Sequence, residues 1–353
     1  MFTQIDIENL RIVRNASFHP QGGLNIITGE NGAGKTTLLE AAYLVAVGRS
    51  FRNRETTPLI SEGEDQVRIV SRFLDSSGTR HLLGMEKDRH NMVVRMDGRR
   101  SVKRSEIMHL LPLHFIGSDP QELITGAPEL RRSFLDGGLF HVEPGYLKTL
   151  QEYARVVGQR NAALRKSSSD VWSWDPQFVA FGKSLDVYRR RYVDLLRENT
   201  LRVLGSWGMD LDIGIEYRSG WNRNLTLEEA ISRARESDTA RVHTTVGPHR
   251  ADLIVNVRNL KGGKVLSRGQ QKMLIVAFHL AQSILCSNKG ERIGVLLFDD
   301  FAAELDKSNR ERLLETITRH YPQVITTVLD PEDFNTNIPS RMFHVKHGTL
   351  EAV

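Results

Sequence analysis

The sequence predicts an α/β protein of two lobes: one carries mixed and antiparallel sheets, and a mainly helical lobe is inserted between its halves. Three observations carry this. An apolar strand over residues 24–28 runs into a glycine-rich loop and then a helical run over 35–47. Alternating segments follow at 67–74, 80–87 and 92–96. From Pro128 the apolar period lengthens from two to three or four, and it stays so to Leu204.

Taken in order, Ile5, Ile7 and Leu10 begin an alternating strand. Leu38, Leu39, Ala42 and Val45 share one face of the helix after the glycine loop. Ser76-Ser77-Gly78 and the polar stretch 88–91 are turns between the three alternating segments, which together predict an antiparallel sheet. Residues 128–140, 144–166 and 176–204 predict helices, each opened by a proline near its first turn. Ser167 to Ser169 form a polar turn. Alternation returns over 211–217, and 225–235 predict a short helix. Strands are expected at 242–245, 252–257, 294–298, 324–328 and 342–345, with helices at 270–285 and 307–320. Repeats and low-complexity tracts are lacking. The expected organisation is a first part of the sheet lobe over 1–116, the helical lobe over 117–244, and the second part over 245–353.

The 353 residues are 40% hydrophobic, 26% charged and only 7% aromatic, so the core is mainly aliphatic. Lys and Arg number 48 against 43 Asp and Glu, a net charge of +5. That permits a polyanionic partner without demanding one. A single cysteine, Cys286, excludes a disulfide framework within one chain and a cysteine-based zinc cluster, and suits a reducing, cytosolic setting. Acids at Asp6 and Glu8 stand where a signal peptide is basic and then apolar. The longest apolar stretch, 273–285, is broken by His279 and Gln282 and is too short to span a bilayer. Twelve histidines without an H-E-x-x-H pattern give no zinc site.

Chemistry concentrates first at Gly29-Glu30-Asn31-Gly32-Ala33-Gly34-Lys35-Thr36, which fits G-x-x-x-x-G-K-[ST], a P-loop. Glycines let the backbone wrap phosphate oxygens, and N–H groups at the helix start point at the anion. Lys35 supplies charge to the β- and γ-phosphates of ATP, and the Thr36 hydroxyl can ligate Mg²⁺; Thr37 completes the candidate nucleotide site. A second half is predicted at Val295-Leu296-Leu297-Phe298-Asp299-Asp300. Four apolar residues make a buried strand, placing Asp299 at its end to hold Mg²⁺ and Asp300 as general base. Two adjacent carboxylates there need a cation. Leu266-Ser267-Arg268-Gly269-Gln270-Gln271 opens another helix, with Ser267 as N-cap.

This order of motifs is similar to the ATP-binding-cassette ATPases. The resemblance implies that Ser267, Gly269 and Gln270 of one subunit close over the γ-phosphate on the P-loop of another, so that ATP is shared across a two-fold dimer. Ala303-Glu304-Leu305-Asp306 looks like the D-loop of that superfamily. The insert between Lys35 and Ser267 is longer than in transporter cassettes and lacks the sustained heptads of a long coiled coil.

Within that superfamily the chain resembles the RecF family of bacterial DNA replication and repair proteins. Gly48-Arg49-Ser50-Phe51-Arg52 looks like its G-R-S-F-R, and Gly126-Ala127-Pro128-Glu129-Leu130-Arg131-Arg132-Ser133-Phe134-Leu135-Asp136 is similar to its G-x-P-x-x-R-R-x-F-L-D. Gln159-Arg160-Asn161, Trp174-Asp175 and Gly247-Pro248-His249-Arg250-Ala251-Asp252 match three further segments. The likeness runs from about Ile5 to Asp306. Two positions depart: Asn9-Leu10-Arg11-Ile12-Val13-Arg14-Asn15 lacks the aromatics of N-F-R-N-[YF], and Thr37 stands where Asn is frequent. Gln121 is the candidate for the glutamine linking the lobes. The resemblance implies a slow Mg²⁺-dependent ATPase of recombinational repair, replication and the SOS response. Its ATP-bound homodimer would engage duplex DNA at gaps and help place RecA with RecO and RecR, away from any membrane.

Arg49 and Arg52 are expected to reach phosphate or DNA, whereas Arg131 and Arg132 could be DNA contacts or structural partners of nearby acids. Further basic clusters at Arg95, Arg99, Arg100, Lys103 and Arg104, and at Arg189 to Arg191, could together form a groove contacting DNA backbone. Two other readings are a nucleotide-gated DNA clamp that acts mainly by binding, and a cassette energising a separate membrane transporter.

Overall fold

The computed structural model describes residues 1–52, 59–100, 102–209, 211–258, 260–290, 293–330 and 338–352. The chain divides into two compact units, residues 1–120 with 292–353 and residues 121–291. The first part of the first unit holds β1 (Phe2–Leu10), β2 (Val13–Phe18), β3 (Gly23–Thr28), α1 (Lys35–Val47), β4 (Val67–Leu74), β5 (Arg80–Lys87), β6 (Met92–Met96), β7 (Arg99–Arg100), α2 (Arg104–Leu110) and β8 (Leu113–Ile116). The second unit holds α3 (Glu122–Thr125), α4 (Pro128–Val142), α5 (Tyr146–Arg165), α6 (Asp175–Ser206), β9 (Ile213–Arg218), α7 (Leu227–Arg233), α8 (Arg235–Arg241), β10 (Asp252–Val257), β11 (Leu260–Lys261), α9 (Gly262–Val265) and α10 (Arg268–Ser287). The chain then returns to the first unit with β12 (Val295–Phe298), α11 (Lys307–His320), β13 (Gln323–Thr327), β14 (Ser340–Lys346) and β15 (Thr349–Ala352).

The first unit has two six-stranded sheets. One is antiparallel, in the order β2-β1-β4-β5-β6-β7, and the other is mixed, in the order β15-β14-β3-β13-β12-β8. Helix α1 is apolar nearly all round, with Leu38, Leu39, Ala41, Ala42, Leu44, Val45 and Ala46 buried. Such a helix needs cover on both sides. Ile5, Ile7 and Ile69 from the antiparallel sheet and Ile27, Leu297 and Ile325 from the mixed sheet join it in one core. β12 is buried at all four positions, as its unbroken apolar run demands for a strand flanked in parallel by β13 and β8.

In the second unit, α6 buries one stripe along its length, from Phe178 through Leu185 and Leu196 to Val203. Around it lies a three-stranded sheet, β11-β10-β9, with α4, α5 and α10. By contacts the divisions fall after residues 120 and 291, where the sequence reading places them after 116 and 244. The difference is β10 and α10. Asp252 of β10 takes a two-pronged ion pair from Arg131 of α4, and Gln282 of α10 donates to the Phe134 carbonyl, so both elements belong with the helices.

Residues 242–245, expected as a strand, form none. Val242 closes α8 at φ +58, and the Thr244 and Thr245 N–H groups go to the side chains of Asn161 and Asp238 instead of a neighbouring strand. Elements β2, β7, β8, α2, α3, α8, β11, α9 and β15 are additions to the sequence reading. They are short, and packing rather than periodicity holds them.

Candidate functional site

The glycine loop leaves β3 and enters α1 through three glycines at positive φ: Gly29 (+144°), Gly32 (+77°) and Gly34 (+116°). At Gly29 the conformation is obligatory, because a Cβ would run into the Val345 carbonyl oxygen. Gly34 is the N-cap of α1 and offers no side-chain cap. The first N–H groups of a buried helix are thus left for an acceptor from outside, which an anion supplies. Glu30, Asn31 and Gly32 are exposed at the loop's tip, Ala33 is buried, and Thr37 is buried on α1.

Lys35 turns back over this loop. Its Nζ donates to the carbonyls of Gly29 at 2.6 Å and Glu30 at 3.0 Å. Partial burial holds its pKa below the ordinary lysine value, against the opposing pull of Asp299 and Asp300. A charged amine so placed is ready to exchange carbonyl partners for phosphate oxygens.

Thr36 Oγ1 donates to Asp299 Oδ1 at 3.1 Å, so the loop meets the acidic strand end. Asp299 is 5% exposed. Burial pushes its pKa up, against hydrogen bonds from Thr327 and Thr36 and the nearby charge of Arg52. A buried carboxylate beside a second acid and a hydroxyl is an oxygen-rich set suited to a hard divalent cation. Asp300 follows at φ +53, a left-handed turn that ends β12.

Sequence reasoning passed over Thr327, at the end of β13. Its hydroxyl donates to Asp299 Oδ1 at 2.7 Å and accepts the Asp300 N–H at 2.8 Å. The available signal was a threonine closing an apolar strand, which periodicity alone does not distinguish from any other strand end.

The G-R-S-F-R segment folds against α1. Ser50 donates to Glu40, a wholly buried carboxylate that also takes both prongs of Arg11, at 2.6 and 2.8 Å. Phe51 stacks on Phe115 of β8 with ring centroids 3.9 Å apart. These anchors bring Arg52 within 3.9 Å of Glu40 and near enough for its charge to act on Asp299, while Arg49 is exposed.

Ser267, Gly269 and Gln270 lie in the second unit, whereas the loop and the acidic strand lie in the first. Ser267 is the N-cap of α10 in a reciprocal capping box with Gln270: its Oγ accepts the Gln270 N–H at 3.2 Å, and Gln270 Oε1 accepts the Ser267 N–H at 3.0 Å. This helix start is exposed at Ser267 and Arg268. Asp306 caps α11 through the Asn309 N–H.

Most of the remaining motif residues are partners of one another. Arg131 pairs with Asp252 and also donates to the Ile124 and Gly126 carbonyls; Arg132 donates to the Ala251 carbonyl. Arg189 grips Asp136 and the Pro248 carbonyl. Arg160 holds Asp175, Asp238 and Thr244. His249 donates from Nε2 to the Thr244 carbonyl at 3.0 Å, which leaves Nδ1 to accept from the Tyr153 hydroxyl at 2.8 Å. Of the basic clusters, Arg95 pairs with Glu86, Arg99 with Glu106 and Arg190 with Asp186; Arg100, Lys103 and Arg191 are exposed. No helix among the described residues is long and apolar enough to cross a membrane.

A family model described as RecF/RecN/SMC N terminal domain matches residues 1–351. A protein of Shewanella baltica (strain OS155), described as DNA replication and repair protein RecF, is 33% identical over 357 residues, covering 99% of both chains. A Pseudomonas aeruginosa (strain LESB58) protein of the same description is 34% identical over 359 residues, 99% of this chain and 96% of its own. Among solved structures, the recombination mediator protein RecF with ATP, of the RecFOR pathway, superposes with a TM-score of 0.87 at 21% identity, covering 100% of this chain and 97% of that one. The Smc head bound to the C-terminal winged-helix domain of ScpA gives 0.57 at 14% identity, covering 100% and 96%. These two structural likenesses bear on the fold alone, an α/β head with mixed and antiparallel sheets.

Proposed function

The chain belongs to the RecF/RecN/SMC N terminal domain family, with full-length relatives described as RecF, and from that premise we propose that it is a Mg²⁺-dependent ATP hydrolase whose ATP-bound homodimer binds DNA in recombinational repair and replication. The observation that carries the reading is the meeting of Thr36 with Asp299 at 3.1 Å, at the mouth of an uncapped helix start. The loop N–H groups and Lys35 would bind the β- and γ-phosphates. Thr36 and Asp299 would hold Mg²⁺, which when bound offsets phosphate charge. Asp300 would take a proton from the attacking water as its oxygen bonds to the γ-phosphorus and ADP leaves.

Ser267, Gly269 and Gln270 of a second copy would close over the γ-phosphate, so that losing that phosphate weakens the dimer. The exposed start of α10 leaves these residues available for such a contact. The relatives' description as DNA replication and repair proteins supports DNA as the partner; engagement through its backbone, without sequence preference, is our own reading. The RecFOR pathway named for the ATP-bound RecF structure is what suggests RecO and RecR as co-workers; loading of RecA at gaps, in the cytoplasm, is part of the same proposal.

Sedimentation of the full chain with and without ATP and Mg²⁺, each with and without a gapped duplex, tests this. ATP-dependent dimers that retain the duplex are expected, and Asp300→Asn should hold the dimer closed. A monomer that ignores DNA in every condition would refute it.

A further inference from the structure

Two threonines at the end of β13 strap the end of β12 residue by residue. Thr326 Oγ1 donates to the Phe298 carbonyl at 2.9 Å. Thr327 Oγ1 donates its one proton to Asp299 Oδ1 at 2.7 Å and accepts the Asp300 N–H at 2.8 Å, and the Thr327 carbonyl accepts the Phe301 N–H at 3.1 Å. Both threonines are fully buried, at 0% and 1% exposure.

The sheet order gives this arrangement its reach. β13 lies between β3, which leads into the phosphate loop, and β12, which carries the two acids. Thr327 stands opposite Ile27 of β3 in the ladder, two residues before Gly29. Asp300 occupies a left-handed conformation at φ +53, which costs a non-glycine residue free energy and persists only where the surroundings hold it. Here the Thr327 oxygen receives its N–H. The same hydroxyl, with Thr36, fixes which way Asp299 Oδ1 faces. One side chain therefore sets both the carboxylate of the cation site and the turn from which the second carboxylate projects.

We propose that Thr327 is a positioning residue of the ATP site: it locks the Asp299 carboxylate for Mg²⁺ and fixes the Asp300 turn, so that cation binding and water activation are set by one hydroxyl. This rests on the ATPase reading above. It does not require Thr327 to touch nucleotide, and its burial keeps it from doing so.

The test compares full-length wild type, Thr327→Val and Thr327→Ser. Valine keeps the β-branched shape and removes the hydroxyl; serine restores it. Binding of a fluorescent ATP analogue is titrated with Mg²⁺, alongside kcat, KM and thermal unfolding. The expected result for Thr327→Val is a folded protein whose Mg²⁺-dependent tightening of the analogue weakens about tenfold, whose KM for ATP with Mg²⁺ rises in step, and whose kcat falls about 10- to 100-fold, as for loss of a hydrogen bond to a charged group. Thr327→Ser should recover most of both. Should the valine variant fail to fold, Thr327→Cys, which offers only a weak sulfur donor, reads the same quantity. Thr327→Val with wild-type Mg²⁺ dependence overturns the role of Thr327 alone. Thr327→Ser as impaired as Thr327→Val also overturns it, since packing would then explain the loss. Wild type that binds no analogue overturns the ATP-site reading and Thr327 with it.

Discussion

Arg160 and Asp238 form an ion pair with neither side chain exposed to solvent: Nη1 lies 2.7 Å from Oδ2. Arg160 reaches Asp175 and Thr244 as well, and Asp238 takes the N–H and hydroxyl of Thr245. The pair thus joins α5 and α8 to the segment just before Gly247. Removing Asp238 leaves the buried Arg160 charge with Asp175 as its remaining carboxylate partner and strips the Thr245 N–H and hydroxyl of their acceptor. Asp238→Ala should destabilise the protein by about 3–5 kcal/mol, read as a fall in the denaturant midpoint. A loss below 1 kcal/mol would mean that the pair is not buried as described.

Lys35 makes its hydrogen bonds to the loop carbonyls of Gly29 and Glu30, so its replacement removes phosphate charge without opening the core. Lys35→Met should leave the melting temperature nearly unchanged. Equilibrium binding of ATP should fall by about a hundredfold or more, the scale of a lost charge-assisted contact to phosphate. Wild-type affinity in this variant would remove Lys35 from the site.

At the start of α10, Ser267→Arg takes away the N-cap, at a cost of about 1 kcal/mol. ATP binding to the first unit should persist, and ATP-dependent dimerisation should not. Analytical ultracentrifugation with ATP and Mg²⁺ separates the two. A normal dimer would show that Ser267 is a helix cap and nothing more.

Acidification should weaken the second unit. Burial pushes the His249 imidazole down from its ordinary 6.5 to about 4, and that of His279 likewise to about 4. Both are neutral in the folded chain, while the unfolded chain takes up protons from about pH 6.5 downward. The stability that depends on their neutrality is therefore full above about pH 6.5 and is lost as pH falls towards 4, on the order of 3 kcal/mol for His249. His249→Gln should flatten the dependence of unfolding free energy on pH between 6.5 and 4.5. An unchanged slope would mean that His249 titrates normally.

Arg131 serves the fold through Asp252 and the Ile124 and Gly126 carbonyls. Arg131→Ala should cost about 3 kcal/mol of stability and leave the slope of duplex affinity against salt concentration unchanged. A slope reduced by about one counterion would instead make Arg131 a phosphate contact.

Much of the geometry of the proposed ATP site was legible in the linear chain because its parts are local. A glycine loop between an apolar strand and a helix, and an acidic pair after four apolar residues, each announce their geometry within a dozen positions. The capping role of Ser267 was legible for the same reason: N-cap and N3 lie on one turn. The period of the long helices fixed α4, α5 and α6 to within a few residues. The strand expected at 242–245 failed because alternation does not reveal that Asn161 and Asp238 take the backbone N–H groups there.

Only the tertiary structure could decide what is made by residues distant in sequence. That Thr327 joins Asp299 and Asp300 follows from β13 lying between β3 and β12, an order no local pattern encodes. That Arg131, Arg160 and Arg189 are buried partners of acids, and not a basic surface, depends on which carboxylates the packing brings to them. A charge in sequence carries no sign of its burial. The sequence by itself determined the glycine-rich loop, the acidic strand end and the long helices, because each is a short-range arrangement. The tertiary structure decided which arginines serve the fold, and which threonine holds the carboxylates, because those roles exist only between segments brought together by folding.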